Sequence, residues 1–164
     1  MIEVELFSVM SVRQANHWVI VLKEKAGPHY LPIWTGSLEA RPILLWMGGV
    51  RFQRPITHGL LITAVERLGA KVTKVVIYGL EKGIVLARII LNKDGREVAL
   101  DCRPSDAIAL AVRQGVPILV ADEIMAKAGV VLRQRGAGTS DTSQDDDRLT
   151  VFREFINSLE MNDF

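Results

Sequence analysis

Ile2, Val4 and Leu6 alternate with Glu3 and Glu5, the period-two pattern of a strand with one buried face. Trp18-Val19-Ile20-Val21-Leu22 is a continuous apolar run that predicts a second strand. Gly27-Pro28 marks a turn into a third, from Tyr30 to Trp34, and the spacing reads as an antiparallel meander. Gly36-Ser37 then opens a helix. Its run Ile43-Leu44-Leu45-Trp46-Met47 is apolar nearly all round and predicts burial on several sides. With Ser37 as the cap, Pro42 falls beyond the first turn, so the helix either starts later or bends. Gly48-Gly49 ends it. Thr57 is the expected N-cap of the next helix, with Leu61, Ala64, Val65 and Leu68 as its inward face and Gly69 as its stop.

Three more strands are predicted: Val72 to Tyr78, Ile84 to Leu91 and Glu97 to Cys102. The turns between them are Leu80-Glu81-Lys82-Gly83 and Asn92-Lys93-Asp94-Gly95, the second with the Asp-Gly hairpin signal. Arg103-Pro104-Ser105-Asp106 leads into a helix through Ala107, Ile108, Ala111 and Val112, with Gly115 as its stop. Val116 to Val120 reads as an internal strand, and Asp122 as the cap of a short helix ending at Gly129. Residues 136–148 form a polar, acidic linker. Val151, Phe152, Phe155, Ile156 and Leu159 then fall on one face of a terminal amphipathic helix, which must bury either on this body or on a neighbouring subunit. The expected architecture is an α/β (α+β) body over residues 1–135, a mixed, largely antiparallel sheet with helices packed on it. A linker (136–148) and a tail helix (149–164) follow.

Composition narrows the chemistry. The chain has 164 residues, of which 49% are hydrophobic, and no apolar run approaches the roughly 18 residues that span a bilayer. The acidic, alternating start is unlike a signal peptide, so the expected location is the cytoplasm. A single cysteine, Cys102, excludes an internal disulfide and a cysteine zinc site, and a buried, inert thiol is expected there. The three histidines, His17, His29 and His58, have no metal-ligand spacing, so a metal would rest on carboxylates. Net charge is +1, but residues 1–135 carry 18 Lys/Arg against 12 Asp/Glu, and residues 136–164 carry 2 against 7. A basic body with an acidic tail is compatible with a phosphate-bearing ligand, but from charge alone it reads first as an ordinary solubility pattern. Asp145-Asp146-Asp147 reads as a solvated charge run.

Signatures such as the phosphate loop, paired-histidine zinc helix, serine elbow and dinucleotide fingerprint are absent. Polar residues concentrate instead at strand-to-helix junctions, where α/β proteins place their sites. Asp106 lies in a first helical turn, where the dipole favours a carboxylate, and Ser105 is a candidate N-cap. Capping explains both. The functional reading has Arg103 binding a phosphate or carboxylate and Asp106 holding a metal or activating water. Arg54-Pro55-Ile56-Thr57-His58 repeats the layout. The two junctions would form an anion site if the fold joins them, with Arg54, Thr57, Arg103 and Ser105 binding substrate. His58 is a general acid or base, or else a surface histidine. Glu39 is a metal-binding carboxylate or a favourable first-turn acid. Aromatic residues, at 6%, are too few to suggest a base-stacking platform.

Three segments carry a resemblance: Tyr30-Leu31-Pro32-Ile33-Trp34-Thr35-Gly36 with Glu39-Ala40, then Arg54 to His58, then Arg103-Pro104-Ser105-Asp106-Ala107-Ile108-Ala109-Leu110-Ala111. In that order they are similar to the bifunctional nuclease domain family, over roughly residues 1–130. The tail Phe152-Arg153-Glu154-Phe155 resembles those of bacterial members. The resemblance implies a compact α/β fold, a homodimer or higher homo-oligomer, and nuclease activity on DNA and RNA; the tail helix is a candidate for that interface. On that reading the catalytic residues are Glu39, His58 and Asp106, with Glu39 and Asp106 holding a divalent cation such as Mg or Mn. Two departures from the family pattern stand out: Gly59 where an aspartate often follows the histidine, and Pro42 within a helix usually uninterrupted. The competing expectation is a non-catalytic oligomeric binding module in which the same side chains cap helices.

Overall fold

The computed structural model describes residues 1–12 and 17–131. The elements are β1 (Ile2–Val12), β2 (His17–Glu24), β3 (His29–Thr35), α1 (Ser37–Met47), α2 (Thr57–Arg67), β4 (Ala70–Glu81), β5 (Ile84–Lys93), β6 (Arg96–Cys102), α3 (Pro104–Gln114), β7 (Ile118–Val120), α4 (Asp122–Ala128) and β8 (Val130–Val131). The strands form one sheet in the order β6-β5-β4-β7-β1-β2-β3-β8. Among them only β4 and β7 run parallel, so the sheet is mixed and largely antiparallel, as the sequence led one to expect.

Two meanders build this sheet. In the first, β2 pairs with β1 and β3, joining Val9, Ile20 and Ile33 in one row and Leu6, Leu22 and Leu31 in another. In the second, β4, β5 and β6 are joined by two-residue turns at Lys82-Gly83 and Asp94-Gly95. All four of these residues have positive φ, the type I′ geometry whose twist suits a hairpin. The short β7 ties the meanders together. It pairs with β4 at Val75 to Ile77 and with β1 at Ile2 to Val4, and its uninterrupted apolar sequence fits an internal strand.

The main core lies between one sheet face and the helices. Val4, Ile20, Leu22, Leu31, Ile33, Val75, Ile77, Ile89 and Ile118 meet Ile43 of α1, Ile62 of α2, Ala107 to Ala111 of α3, and Ile124 and Met125 of α4. Helix α3 is the centrepiece, since Ser105 and Ala107 to Ala111 are all buried. Its small residues let the backbone approach the sheet closely, and Gly115 ends it in the left-handed region. No helix among the described residues is long and apolar enough to cross a membrane. The linker and tail helix expected over 136–164 lie outside the described residues.

Several local expectations need correction. The N-caps are Gly36, Ile56, Arg103 and Ala121, so Ser37, Thr57 and Asp122 are first helical residues and Ser105 is a buried second one. At none of these four N-caps does the side chain accept a bond from a helix backbone N–H. Helix α1 runs unbroken through Pro42. Leu38, whose carbonyl Pro42 cannot bond, is 79% exposed, so water can take the missing place. The α1 run is not buried on several sides: Ile43 is, but Leu44 and Met47 are exposed. In α2 the inward positions are Gly59 and Ile62, with the expected Val65 packed against the core, while Ala64 is exposed and Leu61 and the C-cap Leu68 face outward at 44% and 72% exposure. Apolar spacing marked α2 as a helix, but with apolar residues on both of its sides it could not say which side faces in.

Candidate functional site

Three helices begin beside one another. Glu39 is the third residue of α1, His58 the second of α2 and Asp106 the third of α3, and Arg103 is the N-cap of α3. The extended backbone at Arg103, fixed by the following proline, turns its side chain back over the helix start. Its Nε donates to Asp106 Oδ2 at 2.8 Å and its Nη2 to Asp106 Oδ1 at 3.2 Å. Nη1 donates to Glu39 Oε1 at 2.9 Å. His58 Nε2 lies 3.2 Å from Asp106 Oδ1. The two Arg-Pro junctions, 48 residues apart at His58 and Asp106, are thus brought into contact.

Local sequence makes this geometry possible. The Glu39 carboxylate folds back over Gly36, where any β-carbon would collide with it. Gly59 lies against the guanidinium of Arg113, and an added β-carbon would sit 3.0 Å from Arg113 Cζ. The other side of Arg113 stacks 4.3 Å over the Trp46 ring, which meets Phe52 edge-on at 5.6 Å between centroids. This wedge fixes the first turn of α2 to α1 and α3, and with it His58. A side chain at position 59 would therefore meet the Arg113 guanidinium first, and the departure from the family pattern at Gly59 leaves that close approach open.

The electrostatics follow from these contacts. Burial pushes the Asp106 carboxyl upward, but hydrogen bonds and charge from Arg103 and His58 outweigh it, and the net direction is below the ordinary carboxylate value. The bond to Asp106 is likewise the largest reason that Arg103 holds its proton more firmly, with Glu39 adding to it. Two carboxylates face one guanidinium, so with His58 neutral the cluster carries a net charge of about −1. Three guanidinium N–H groups are engaged, which leaves about two of the five for an incoming anion. The Arg103 side chain is 63% exposed and within reach of one.

His58 is not a surface histidine: its side chain is 14% exposed and bonded to Asp106. Glu39 and Asp106 use their carboxylates on side chains, not on helix backbone. Arg54 and Thr57 are exposed beside the α2 start, and neither makes a hydrogen bond or ion pair with the cluster. Ser105 is 5% exposed and belongs to the packing under α3. Sequence reasoning missed Arg113 and Trp46. A cation in the last turn of a helix reads as ordinary dipole compensation, and only the bare Cα of Gly59 hints that something must pack there.

As for a metal, two carboxylates and an imidazole are donors that a divalent ion accepts. As the side chains stand, however, the Arg103 guanidinium lies between the carboxylates, and among the described residues no three such groups gather as a ligand set. This arrangement does not fit a resident ion.

Cys102, the residue before Arg103, is half-buried. Burial first, then the charges of Asp106 and Asp101, push its thiol up to about 11. The expected result is slow modification by a disulfide reagent at pH 8, accelerating only as the pH approaches that value. Folding stability should also fall as pH rises through the same window, because the folded state holds the proton that the unfolded chain releases near about 8.5. Rapid labelling at neutral pH would contradict the burial.

A family model for the bifunctional nuclease domain matches residues 20–133, a span that includes Glu39, His58, Arg103 and Asp106. An uncharacterized protein of Mycobacterium tuberculosis is 35% identical over 162 residues, covering 99% of this chain and 97% of that one. The chain is 33% identical over 135 residues to bifunctional nuclease 1 of Oryza sativa subsp. indica and 34% identical over 110 residues to bifunctional nuclease 2 of Arabidopsis thaliana. These alignments span 41% and 33% of the two plant proteins' lengths. With the family model covering residues 20–133, most of the described body, the chain belongs to the bifunctional nuclease domain family.

Proposed function

We propose that the protein is a phosphodiesterase acting on DNA or RNA, with the Glu39–His58–Arg103–Asp106 cluster as its site. The observation that carries this reading is the contact between the two junctions through His58 and Asp106, beside an exposed guanidinium. Arg103 binds a phosphate oxygen through its remaining donors and offsets charge as it builds on phosphorus. If His58 Nε2–H donates its hydrogen bond to the Asp106 carboxylate, Nδ1 is left as the basic nitrogen. Asp106 then orients the ring and stabilises the imidazolium that forms when His58 takes a proton from the attacking water. Arg54, exposed four residues before His58, adds a cationic side chain near the α2 start for a neighbouring phosphate.

Were a divalent cation to displace Arg103, Glu39 and Asp106 would be its carboxylate ligands. Such an ion supplies Lewis-acid charge at a phosphoryl oxygen. Both carboxylates are committed to Arg103 as placed, so no step is built on the ion.

The test is cleavage of single-stranded DNA and RNA, with Mg, with Mn and with a chelator, run beside Glu39→Ala and Asp106→Ala. Activity in the parent protein that drops in both variants supports the reading. Equal residual activity in all three identifies a contaminant and sinks it.

Self-association belongs to the same proposal. Leu60 and Leu68 of α2 are 60% and 72% exposed, and Leu38 of α1 is 79% exposed. So much apolar area on neighbouring helices is what a homo-oligomeric interface uses.

A further inference from the structure

The sheet face away from the helices is not uniform. Behind β4, β5 and β6 polar and charged side chains surround the buried Val76 and Ile90. Lys74 Nζ pairs with Glu97 at 2.8 Å, the Tyr78 hydroxyl donates to Asp101 Oδ1 at 2.9 Å, and Arg88 lies 3.5 Å over the Tyr78 ring. Behind β1, β2 and β3 the same face is apolar. Met10, Val19, Val21 and Tyr30 form a second cluster, with Phe7, Val12, Trp34 and Val130 packed around it. Every one of these residues comes from a strand, since the buried residues of the described helices belong to the other core. Yet Val19 and Val21 are fully buried. A sheet face that is apolar and buried needs a second layer, and none of the described helices supplies it.

We propose that this layer is the chain's own segment 149–164, docked across β1, β2 and β3 on the side opposite the Arg103 cluster. The chain leaves the described body at β8, which pairs with β3 at His29 and Tyr30, on the border of the apolar patch. About twenty residues separate Val131 from Val151, a tether that reaches roughly 65 Å when extended. Three strands are only about 15 Å wide, so the segment reaches its own sheet easily. Val151, Phe152, Phe155, Ile156 and Leu159 recur at the spacing that gives a helix one apolar face, and a helix laid on a sheet needs such a face. The acidic residues Asp145 to Asp147 fall in the tether, so the docked part is the apolar part.

The inference is independent of the nuclease reading, because the docking face lies away from the Arg103 cluster. Its test uses the full chain labelled with ¹³C at methionine methyls. Met10 belongs to the second cluster and Met125 to the helix-side core, so one spectrum reports on both. Phe152→Leu/Phe155→Leu keeps apolar bulk but removes two rings. The expected result is a Met10 resonance that moves while Met125 stays in place, with NOEs from the Met10 methyl to phenylalanine rings 152 and 155 in the parent protein. A second sample mixes copies carrying only labelled methionine methyls with copies carrying only protonated phenylalanine, each in a deuterated background. Loss of those NOEs in the mixture is expected for docking within one chain. Their survival would assign the segment to a neighbouring copy, and an unmoved Met10 would mean that something else covers the face. Either result overturns the proposal. A Met125 shift as large as that of Met10 would mean general loosening, and then Phe155→Leu by itself must move Met10 selectively or the proposal falls.

Discussion

Arg103→Ala is expected to lower kcat/KM for single-stranded nucleic acid by about 10²–10³, the scale of losing one positioned donor to the developing charge. Arg103 is the hub of the cluster: its guanidinium engages both Asp106 oxygens and Glu39. Removing it leaves two carboxylates with no cation between them. Arg103→Lys should recover little, because an ammonium cannot offer the planar fork that holds Asp106 side-on. A pH profile separates this role from simple folding damage. In the parent protein Asp106 titrates below the ordinary carboxylate range, because Arg103 and His58 outweigh the effect of burial. The stability linked to that shift is present above the unfolded value of about 3.9 and is lost as pH falls through the folded one. Without Arg103, burial acts on Asp106 against His58 alone, so the acid limb of both activity and stability should move to higher pH. If Arg103→Ala cleaves as well as the parent protein and keeps its acid limb, the phosphate-binding role is wrong.

His58→Ala should cost a further range of about 10²–10⁴ in kcat, the usual worth of a general acid or base, with little change in KM. A variant that raises KM and leaves kcat untouched would mark His58 as a binding residue. The binding-module alternative makes a different prediction, namely that neither substitution changes any cleavage rate. That alternative had required these side chains to cap helices. In the structure they bond one another, and the four helix starts carry no side-chain cap.

The strands were legible because their signals are local. Period-two alternation in β1, the Asp94-Gly95 turn and the continuous run of β2 each need only a few neighbouring residues. The run of β2 carried more than was drawn from it. Val19-Ile20-Val21-Leu22 has no polar alternate, so both sides of β2 are buried, and both cores follow from that one feature. What stayed hidden is what depends on distant partners. Leu61 and Leu68 look like core and are exposed, because α2 offers apolar residues to two sides and only the packed fold chooses one. Glu39, His58, Arg103 and Asp106 were visible as polar residues at helix starts. That they share one guanidinium was not, since Glu39 and Arg103 are 64 residues apart and no local rule joins them.

Ile108→Ala is expected to be the most damaging single truncation for stability near the site. Ile108 is fully buried on α3, two residues after Asp106, within the core that joins the helices to the sheet. Truncating a buried isoleucine to alanine costs about 2–5 kcal/mol, the larger figures applying where neighbours cannot collapse into the gap. Collapse is restricted here because the adjoining α3 residues Ala107, Ala109 and Ala111 are already small and buried, and the sheet behind them is held in register on both sides. The upper half of the range is therefore expected, which for a chain of this size is a fall in melting temperature of roughly 8–15 °C. Urea unfolding should show a lower midpoint with an unchanged slope. The same truncation loosens the first turn of α3, which carries Arg103 and Asp106, so activity measured well below the melting temperature should fall too. A loss of stability with activity fully retained at low temperature would mean that the sheet and β6, rather than the packing of α3, hold the cluster in place.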